Sequence, residues 1–470
     1  MTTFDDAIAA PRDRRARLRR EYVGAFLFWA VVIGVFAFWT FVWAKGGEDQ
    51  ASGFLWKDTA QIFENIGRIT ALQGGYLALV EVLLLARLPF LERFFGFDRL
   101  TNWHRWNGHV VLWLVLAHVV FSVWGYAKAD QAFVPGETFG DKYWAYMTDG
   151  IFPGMIIATI GTILLIAVAF SSYAIARRHL NYELWYAVHF TAYAAIALAF
   201  FHEVPAGNEL VHNPRQAEYV WDATCAAAAA LVIWYRLLLP IVQNWRYRLR
   251  ITEIVEEGPG VWSVRISGRG VSRYGARAGQ FFFWRFLTRG FWYTQHPFSI
   301  SEAPKKGDSF RITVKALGDH TAKFGRLKVG ARVLAEGPFG VFTSDTRTRD
   351  KVLLIAGGIG ITPVRALLEE FRGDVITVYR ALSDRDLVLR DEIDDLVQRH
   401  GGRVEYIVGD HATPEGQRLL TPEHLHELVP DIDEREIYAC GPPAMLSLIE
   451  RTLRRSNLHG HHVHIERFAI

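Results

Sequence analysis

The stretch WHRWNGHVVLWLVLAHVVFSVWGY, residues 103–126, decides how the chain is read. It is long and apolar enough to cross a bilayer, and it carries His104 and His118. A second stretch of the same kind, ELWYAVHFTAYAAIALAFFH at 183–202, carries His189 and His202. At about 1.5 Å rise per residue, His104 and His118 are separated by roughly 21 Å along a helix, and His189 and His202 by roughly 20 Å. Two helices side by side therefore offer two pairs of imidazoles at matching depths. A lone histidine in a membrane helix is commonly a packing or cavity residue. Four in matched pairs read as metal ligands, one on each face of two flat cofactors, and neutral imidazole suits iron. The expectation is two haems, one above the other through the bilayer. His109 fits no pair, because five residues turn it about 140° from His104.

The angular spacing is uneven. Fourteen residues return His118 to within about 40° of the face of His104, but thirteen leave His202 about 140° from His189. Either the second helix is locally overwound, or its two haems are met from different sides.

Further apolar runs at 22–43, 69–88, 151–176 and 219–239 bring the expected spans to six. The first run is too long for a signal-peptide core and lacks a small-residue cleavage site soon after it. Arginines gather in the tail before it (Arg12, Arg14, Arg15, Arg17, Arg19, Arg20), in the second and fourth connections, and at the exit near Arg246 and Arg248. Acidic residues, among them Glu48, Asp58, Asp130, Glu137 and Glu209, gather in the other connections. The positive-inside rule then gives an integral, multi-pass protein of the cell membrane with both termini cytosolic. His104 and His189 lie toward the cytosol, His118 and His202 toward the outer face. Arg68 falls at the outer end of the second span. Either a haem propionate or, by snorkelling, the outer headgroups would take its charge.

The 470 residues suffice for several domains, and the 51% hydrophobic content is concentrated in the first half. A net charge of +3 gives no reason to expect nucleic acid as a partner. Cys225 and Cys440 do not make a disulfide framework. Residues 249–255, 262–266, 280–286, 298–301 and 310–316 alternate as strands with turn signals between them, the pattern of a small antiparallel barrel. From 350 onward strands and helices alternate, as in a parallel α/β sheet. The fold class is multidomain. A basic tail (1–20) precedes an all-α six-helix transmembrane haem bundle (21–242), an antiparallel β-barrel (245–343) and an α/β parallel-sheet nucleotide-binding domain (347–470).

Several runs in this half carry chemistry. HPFSIS at 296–301 and KALGDHT at 315–321 combine an aromatic-flanked strand with hydroxyls, a lysine and a turn, which suits a flavin and its pyrophosphate. AGGIGITP at 356–363 lies between a buried strand and a helix start, where glycines let phosphates approach. CGPP at 440–443 follows another strand at the same sheet edge, where open α/β folds bind ligands.

With EGPFG at 336–340, these runs in this order resemble the flavin- and nicotinamide-binding half of the ferredoxin-reductase-like superfamily. Together with six spans and two histidine pairs, the chain resembles the ferric reductase and NADPH oxidase family over residues 20–470. The resemblance implies that His296, Pro297, Phe298 and Ser299 line the flavin of FAD. Lys315 stands where the family often has a pyrophosphate-binding arginine, and Thr321 closes the same run. Gly357, Gly358, Gly360 and Thr362 would bind the nicotinamide dinucleotide, with Cys440 and Gly441 near the nicotinamide. Glu466 and Phe468 resemble the family's terminal Glu-x-aromatic, whose ring covers the flavin, although Ala469 and Ile470 follow here. Superoxide-producing members place a histidine four residues after the outer ligand of the third span, where this chain has Ser122. The family's arginine is present as Arg68.

The activity implied is that of an NAD(P)H oxidase or ferric-reductase-type flavocytochrome b. Electrons would pass from cytosolic NAD(P)H to FAD, then to the haem at His104 and His189, then to the haem at His118 and His202. Oxygen or ferric chelates would accept them outside, at an exit tuned by Arg68. A flavin is needed because a nicotinamide gives two electrons at once and a haem takes one. Phe468 and Cys440 would act at the flavin–nicotinamide contact. Arg380 and Arg385, after the second strand of the sheet, suit a 2′-phosphate and favour NADPH over NADH. Asp384 and Asp386 would instead favour a ribose hydroxyl. No protein partner is required. The alternative is a membrane-anchored flavin reductase that donates electrons to a partner protein.

Overall fold

The computed structural model describes residues 14–48, 59–129, 154–173, 180, 182–206, 215–304, 309–410, 413, 420–455 and 462–467. The chain divides into two compact units, Glu21–Leu238 and Leu239–Ile470, the latter grouped with Met1–Arg20.

The first unit is helical: α1 (Arg14–Glu48), α2 (Thr59–Leu84), α3 (Pro89–Phe95), α4 (Phe97–Ala129), α5 (Met155–Ser172), α6 (Tyr182–Phe190), α7 (Ala192–Ala206) and α8 (Arg215–Val232). Among the described residues, five stretches are long and apolar enough to cross a membrane: Tyr22–Ala44, Phe97–Lys128, Met155–Ser172, Glu183–Glu203 and Ala217–Tyr247. The six-span expectation therefore stands at five by length and composition. The remaining long helix, α2, has 26 residues, but Glu64, Arg68, Gln73 and Glu81 dilute its apolar character. It also begins at Thr59 rather than 69, so Arg68 lies inside the helix rather than near its end. Gln73 is tied to the first helix: its Nε2 donates to Thr40 Oγ1 at 2.6 Å and to the Phe36 carbonyl at 3.1 Å.

Helices α2 and α4 approach closely because glycines replace side chains where they meet. A Cβ on Gly125 would lie 2.8 Å from the Glu64 nitrogen, and one on Gly67 would lie 3.0 Å from the Ser122 nitrogen. Small residues of this kind let membrane helices pack backbone to backbone.

The helix expected over 183–201 is broken between its two histidines. Thr191 N donates to the Val188 carbonyl at 3.0 Å, an i to i−3 turn, and Thr191 Oγ1 donates to the same carbonyl at 2.7 Å. Helix α7 then restarts with Ala195 N donating to the Thr191 carbonyl at 2.9 Å. A 3₁₀ turn advances about 20° per residue more than an α-helix, so three residues rotate His202 about 60° toward the face of His189. The helix is locally overwound at this turn, which leaves about 80° between the two histidine faces.

After α8 a π-helical segment, Ile233–Leu238, leads into α9 (Leu239–Tyr247). Pro240 lacks an N–H and its ring crowds the carbonyl four residues back, which widens the preceding turn.

The second unit opens with six antiparallel strands: β1 (Arg250–Gly258), β2 (Val261–Ser267), β3 (Phe281–Phe286), β4 (His296–Ser299), β5 (Ser309–Lys315) and β6 (Val333–Phe339). They form two three-stranded sheets, β1-β2-β5 and β4-β3-β6. Single bridges from Arg250 to Arg332 and from Ile300 to Ile312 join them. Phe282, Trp284, Phe286, Phe310 and Phe324 fill the space between. Strand β6 was not expected, because Gly337-Pro338 in its middle reads as a breaker. A register shift between Phe281 and Phe283 on its partner accommodates it.

Then follow β7 (Val352–Gly357), α10 (Ile361–Glu370), β8 (Val375–Ala381), α11 (Arg390–His400), β9 (Arg403–Val408), α12 (Pro422–Leu428), β10 (Glu436–Gly441), α13 (Pro443–Arg455) and β11 (Val463–Arg467). The sheet is parallel, in the order β11-β10-β7-β8-β9. β7 and β10 are buried along their whole length, as strands covered on both faces must be. The chain winds outward from β7 through β8 to β9, then crosses over to β10. The carboxyl ends of β7 and β10 therefore flank a topological switch point, where open α/β sheets bind ligands.

A buried ion network ties the antiparallel strands to this sheet domain. Arg311 on β5 forks onto Glu392 of α11, at 2.7 and 2.8 Å. Arg365 of α10 pairs with the same carboxylate at 2.7 Å and with Glu369 at 2.7 Å. Both arginines also donate to the Ser301 carbonyl, at 3.2 and 3.1 Å.

Candidate cofactor sites

In the helical unit, α4 and α6 bring His104 and His189 together, with ring centroids 5.9 Å apart and planes at 65°. His104 Nδ1 lies 2.8 Å from Glu81 Oε1, and His189 Nδ1 lies 3.1 Å from Ser172 Oγ. When Nδ1 donates to such an acceptor, Nε2 carries the lone pair and is the nitrogen free to ligate. At the other depth, His118 Nδ1 lies 2.9 Å from the Gly67 carbonyl and 3.2 Å from Ser122 Oγ. His202 is close enough to His118 to interact with it electrostatically. Gly154 leaves room for His202: a Cβ there would lie 3.5 Å from His202 Nδ1. His109 is exposed and turns back to the Arg105 carbonyl at 2.5 Å, apart from both pairs.

These residues fit a haem better than a bare ion. Among the described residues, no group of three or more His, Cys, Asp or Glu side chains could hold a metal ion. A macrocycle that brings its own four nitrogens needs only one imidazole on each face. An ion bound at about 2 Å by one nitrogen of each ring sets the two ring centroids roughly 6 Å apart, close to the separation of His104 and His189.

Arg68 lies 3.7 Å from Glu64, one turn before it on α2. Ser122, where the family's superoxide producers have a histidine, faces α2 and His118 rather than an open surface.

In the second unit, β4 places His296, Pro297, Phe298 and Ser299 opposite Trp284 to Phe281 of β3. The His296 and His320 rings meet with centroids 3.9 Å apart and planes tilted by 37°, and Phe291 and Phe324 enclose His320. Both ring nitrogens of His320 are buried without a protein partner. Burial, with His296 and Lys323 nearby, pushes His320 down to about 4, so the ring is neutral and offers one donor and one acceptor. A wall of this kind suits a polar aromatic ligand such as a flavin. Sequence reasoning passed over His320, although it stands inside the quoted run at 315–321.

Lys315 meets Asp386 at 2.9 Å and holds that carboxyl below its usual range. The pair edges a cleft that Val261, Ile359, Arg385 and Val388 also line. Thr321 Oγ1 accepts from the Leu317 and Gly318 nitrogens at 2.9 and 3.1 Å, so it shapes the turn.

The glycines at the switch point divide into two kinds. A Cβ on Gly360 would overlap the Cys440 carbonyl, and one on Gly357 or Gly441 would lie 2.5 Å from Met445. These three pack the loop after β7 onto β10. Gly358, at φ +51°, has open space where a Cβ would point, so a ligand can approach it. Thr362 is buried and donates to the Ile359 carbonyl at 3.0 Å. Cys440 is fully buried as a free thiol, and burial with Glu466 nearby pushes it well up, keeping it protonated. β11 sets Glu466 directly beside Cys440, while Phe468 lies outside the described residues. Arg380, the last but one residue of β8, lies beside Gly357 and near Asp410, and Arg385 is exposed at the cleft.

Two family models match the chain. One is the ferric reductase like transmembrane component over residues 70–200, and the other the oxidoreductase NAD-binding domain over 354–451. The two together, a ferric-reductase-like membrane component followed by an NAD-binding module, match the fused architecture of the ferric reductase and NADPH oxidase family. The chain carries a ferric-reductase-like membrane domain fused to a flavin- and NAD(P)-binding module of the oxidoreductase type. As relatives of the family's reductase half, the glycine betaine monooxygenase reductase subunit of Chromohalobacter salexigens is 30% identical over 37% of this chain and 50% of its own length. Ferredoxin–NADP reductase B of Sorangium cellulosum is 30% identical over 36% of this chain and 77% of its own. The chain spans about half the length of the first relatives it matches. Among solved structures, the FAD/NAD-binding domain of nitric oxide dioxygenase from Vibrio cholerae is 21% identical, with a TM-score of 0.37 over 47% of this chain and 99% of that one.

Proposed function

We propose that the protein moves electrons across the membrane from cytosolic NAD(P)H, through FAD and two b-type haems, to oxygen or ferric chelates on the far side. The observation that carries the reading is the His104–His189 pair, 5.9 Å apart with each Nδ1 engaged, in a chain whose other half is a flavin reductase.

His104 and His189 would hold one haem, and His118 and His202 the other; the iron supplies a one-electron carrier at each depth. The protein's own work is ligation, spacing and exclusion of water. His296 to Ser299 and His320 would line the flavin, with Lys315 toward its pyrophosphate. The open face at Gly358 and the end of β10 at Cys440 and Gly441 would take the nicotinamide dinucleotide. Cys440, as a protonated thiol, offers shape and a weak donor rather than a nucleophile. The arginine-rich connections support a cytosolic reductase half. Arg68, balanced by Glu64, would tune the exit at the outer haem rather than bind one substrate.

The test is NADPH-driven turnover in sealed vesicles, with superoxide formation and ferric reduction measured side by side. Both are expected, and Arg68→Ala should slow both while NADPH still reduces the flavin. Loss of oxygen reduction alone would make Arg68 part of a dedicated oxygen site.

A second reading is favoured by the relatives, whose names include a reductase subunit and a ferredoxin reductase component. In it the helices anchor the flavoprotein, and electrons go to a partner protein. Haem absorbance in the purified protein separates the two.

A further inference from the structure

Helix α2 carries an acid in its apolar half, Glu81, and turns it onto α4. Glu81 Oε1 accepts from His104 Nδ1 at 2.8 Å, and Oε2 accepts from Asn107 Nδ2 at 2.7 Å. Asn107 Nδ2 is itself fixed by the Leu77 carbonyl at 2.9 Å. No side chain at 108 crowds the group: a Cβ on Gly108 would lie 2.9 Å from Oε1. Each oxygen of the carboxylate thus faces a donor on α4.

Two of the other candidate ligands have neutral partners instead. His118 Nδ1 meets a backbone carbonyl and a serine hydroxyl, and His189 Nδ1 meets a serine hydroxyl. A charge placed within a membrane helix is expensive, and such charges mark function. An anionic acceptor on the far nitrogen of a ligating imidazole fixes its tautomer and makes the near nitrogen a stronger donor. A stronger donor favours the oxidised metal and lowers its potential.

We propose that Glu81 is a positioning residue that turns His104 Nε2 toward the iron and sets the His104–His189 haem below the His118–His202 haem in potential. The asymmetry gives electron flow its direction. One electron would pass from the lower-potential iron to the higher, with no bond formed or broken. The inference rests on the two-haem reading above.

The experiment is a potentiometric titration of the full-length, detergent-purified holoprotein, followed at the haem bands. Two one-electron waves are expected. In Glu81→Gln, which keeps the shape and an acceptor oxygen but removes the charge, the lower wave should rise and the upper stay. The rise should be at least about 59 mV, a tenfold change in equilibrium constant for one electron. Ser172→Ala should move the lower wave less. An unmoved lower wave in Glu81→Gln, or an equal shift in Ser172→Ala, overturns the assignment. Should Glu81→Gln take up no haem, Glu81→Asp is measured in its place. A raised lower wave then supports the assignment, and an unmoved one overturns it. A wild-type protein with no haem wave overturns the two-haem reading itself, a failure distinct from the others.

Discussion

Ser122 Oγ lies 3.2 Å from His118 Nδ1, at a point where Gly67 of α2 presses its backbone against Ser122. The hydroxyl supports the proposed haem ligand His118 and lies where the two helices touch. Putting the family's histidine back should therefore disturb the helix pair rather than create an oxygen site. In Ser122→His the larger ring meets Gly67, and haem content should fall from two per chain toward one. Pyridine haemochrome assay of the purified variant measures this. Two retained haems with raised superoxide output would mean that the position does face the acceptor.

The Arg311–Glu392–Arg365 network joins two parts of the second unit, and Arg311 is almost fully buried. Removing one member leaves its partner charged and poorly solvated. Arg311→Ala should cost about 3 kcal/mol, the low end for breaking a buried pair, because Glu392 is partly exposed. Calorimetric unfolding of the holoprotein reads this. The double variant Arg311→Met with Glu392→Met should recover most of the loss.

Glu436, fully buried at the start of β10, accepts from His464 at 2.7 Å, from Thr348 Oγ1 at 2.8 Å and from His462 at 3.2 Å. Burial alone would raise its pKa, but these partners hold it at about 2. A lowered carboxyl contributes stability that is fully present above the ordinary value and lost as pH falls through the folded one. The protein should therefore exceed Glu436→Gln in stability near neutrality. The gap should close progressively between about pH 4.5 and pH 2. Melting temperatures across that range decide it, and a gap constant with pH would refute it.

Arg380 pairs with Gly357 near the carboxyl end of β8, where a ribose carrying a 2′-phosphate would come to the sheet edge. Arg380→Ala should raise KM for NADPH about tenfold with kcat little changed, the mark of lost uniform binding. Activity with NADH should stay the same. Steady-state ferric reduction with each nucleotide measures both.

Much of this was legible in the chain. The histidine pairs, the glycine run at 356–363 and the parallel sheet follow from spacing and periodicity, which are local signals. What was missed was set by tertiary contact. The break at Thr191 depends on one side chain donating to the Val188 carbonyl, which no propensity reveals. The start of α2 was hidden by Glu64 and Arg68, polar residues that pair with each other. Strand β6 was masked by Gly337-Pro338. The Arg311–Glu392 fork joins residues 81 apart in sequence. Glu81 did leave a signal, an acid within an otherwise apolar run, but its partner His104 lies on the next long helix.

Two pairs of histidines, His104 with His189 and His118 with His202, would hold two haems. Reduced-minus-oxidised spectra with extractable haem per chain test it most directly. Two low-spin b-type haems per chain are expected, with one remaining and still reducible in His118→Ala. One haem or none in the unaltered protein would contradict the account.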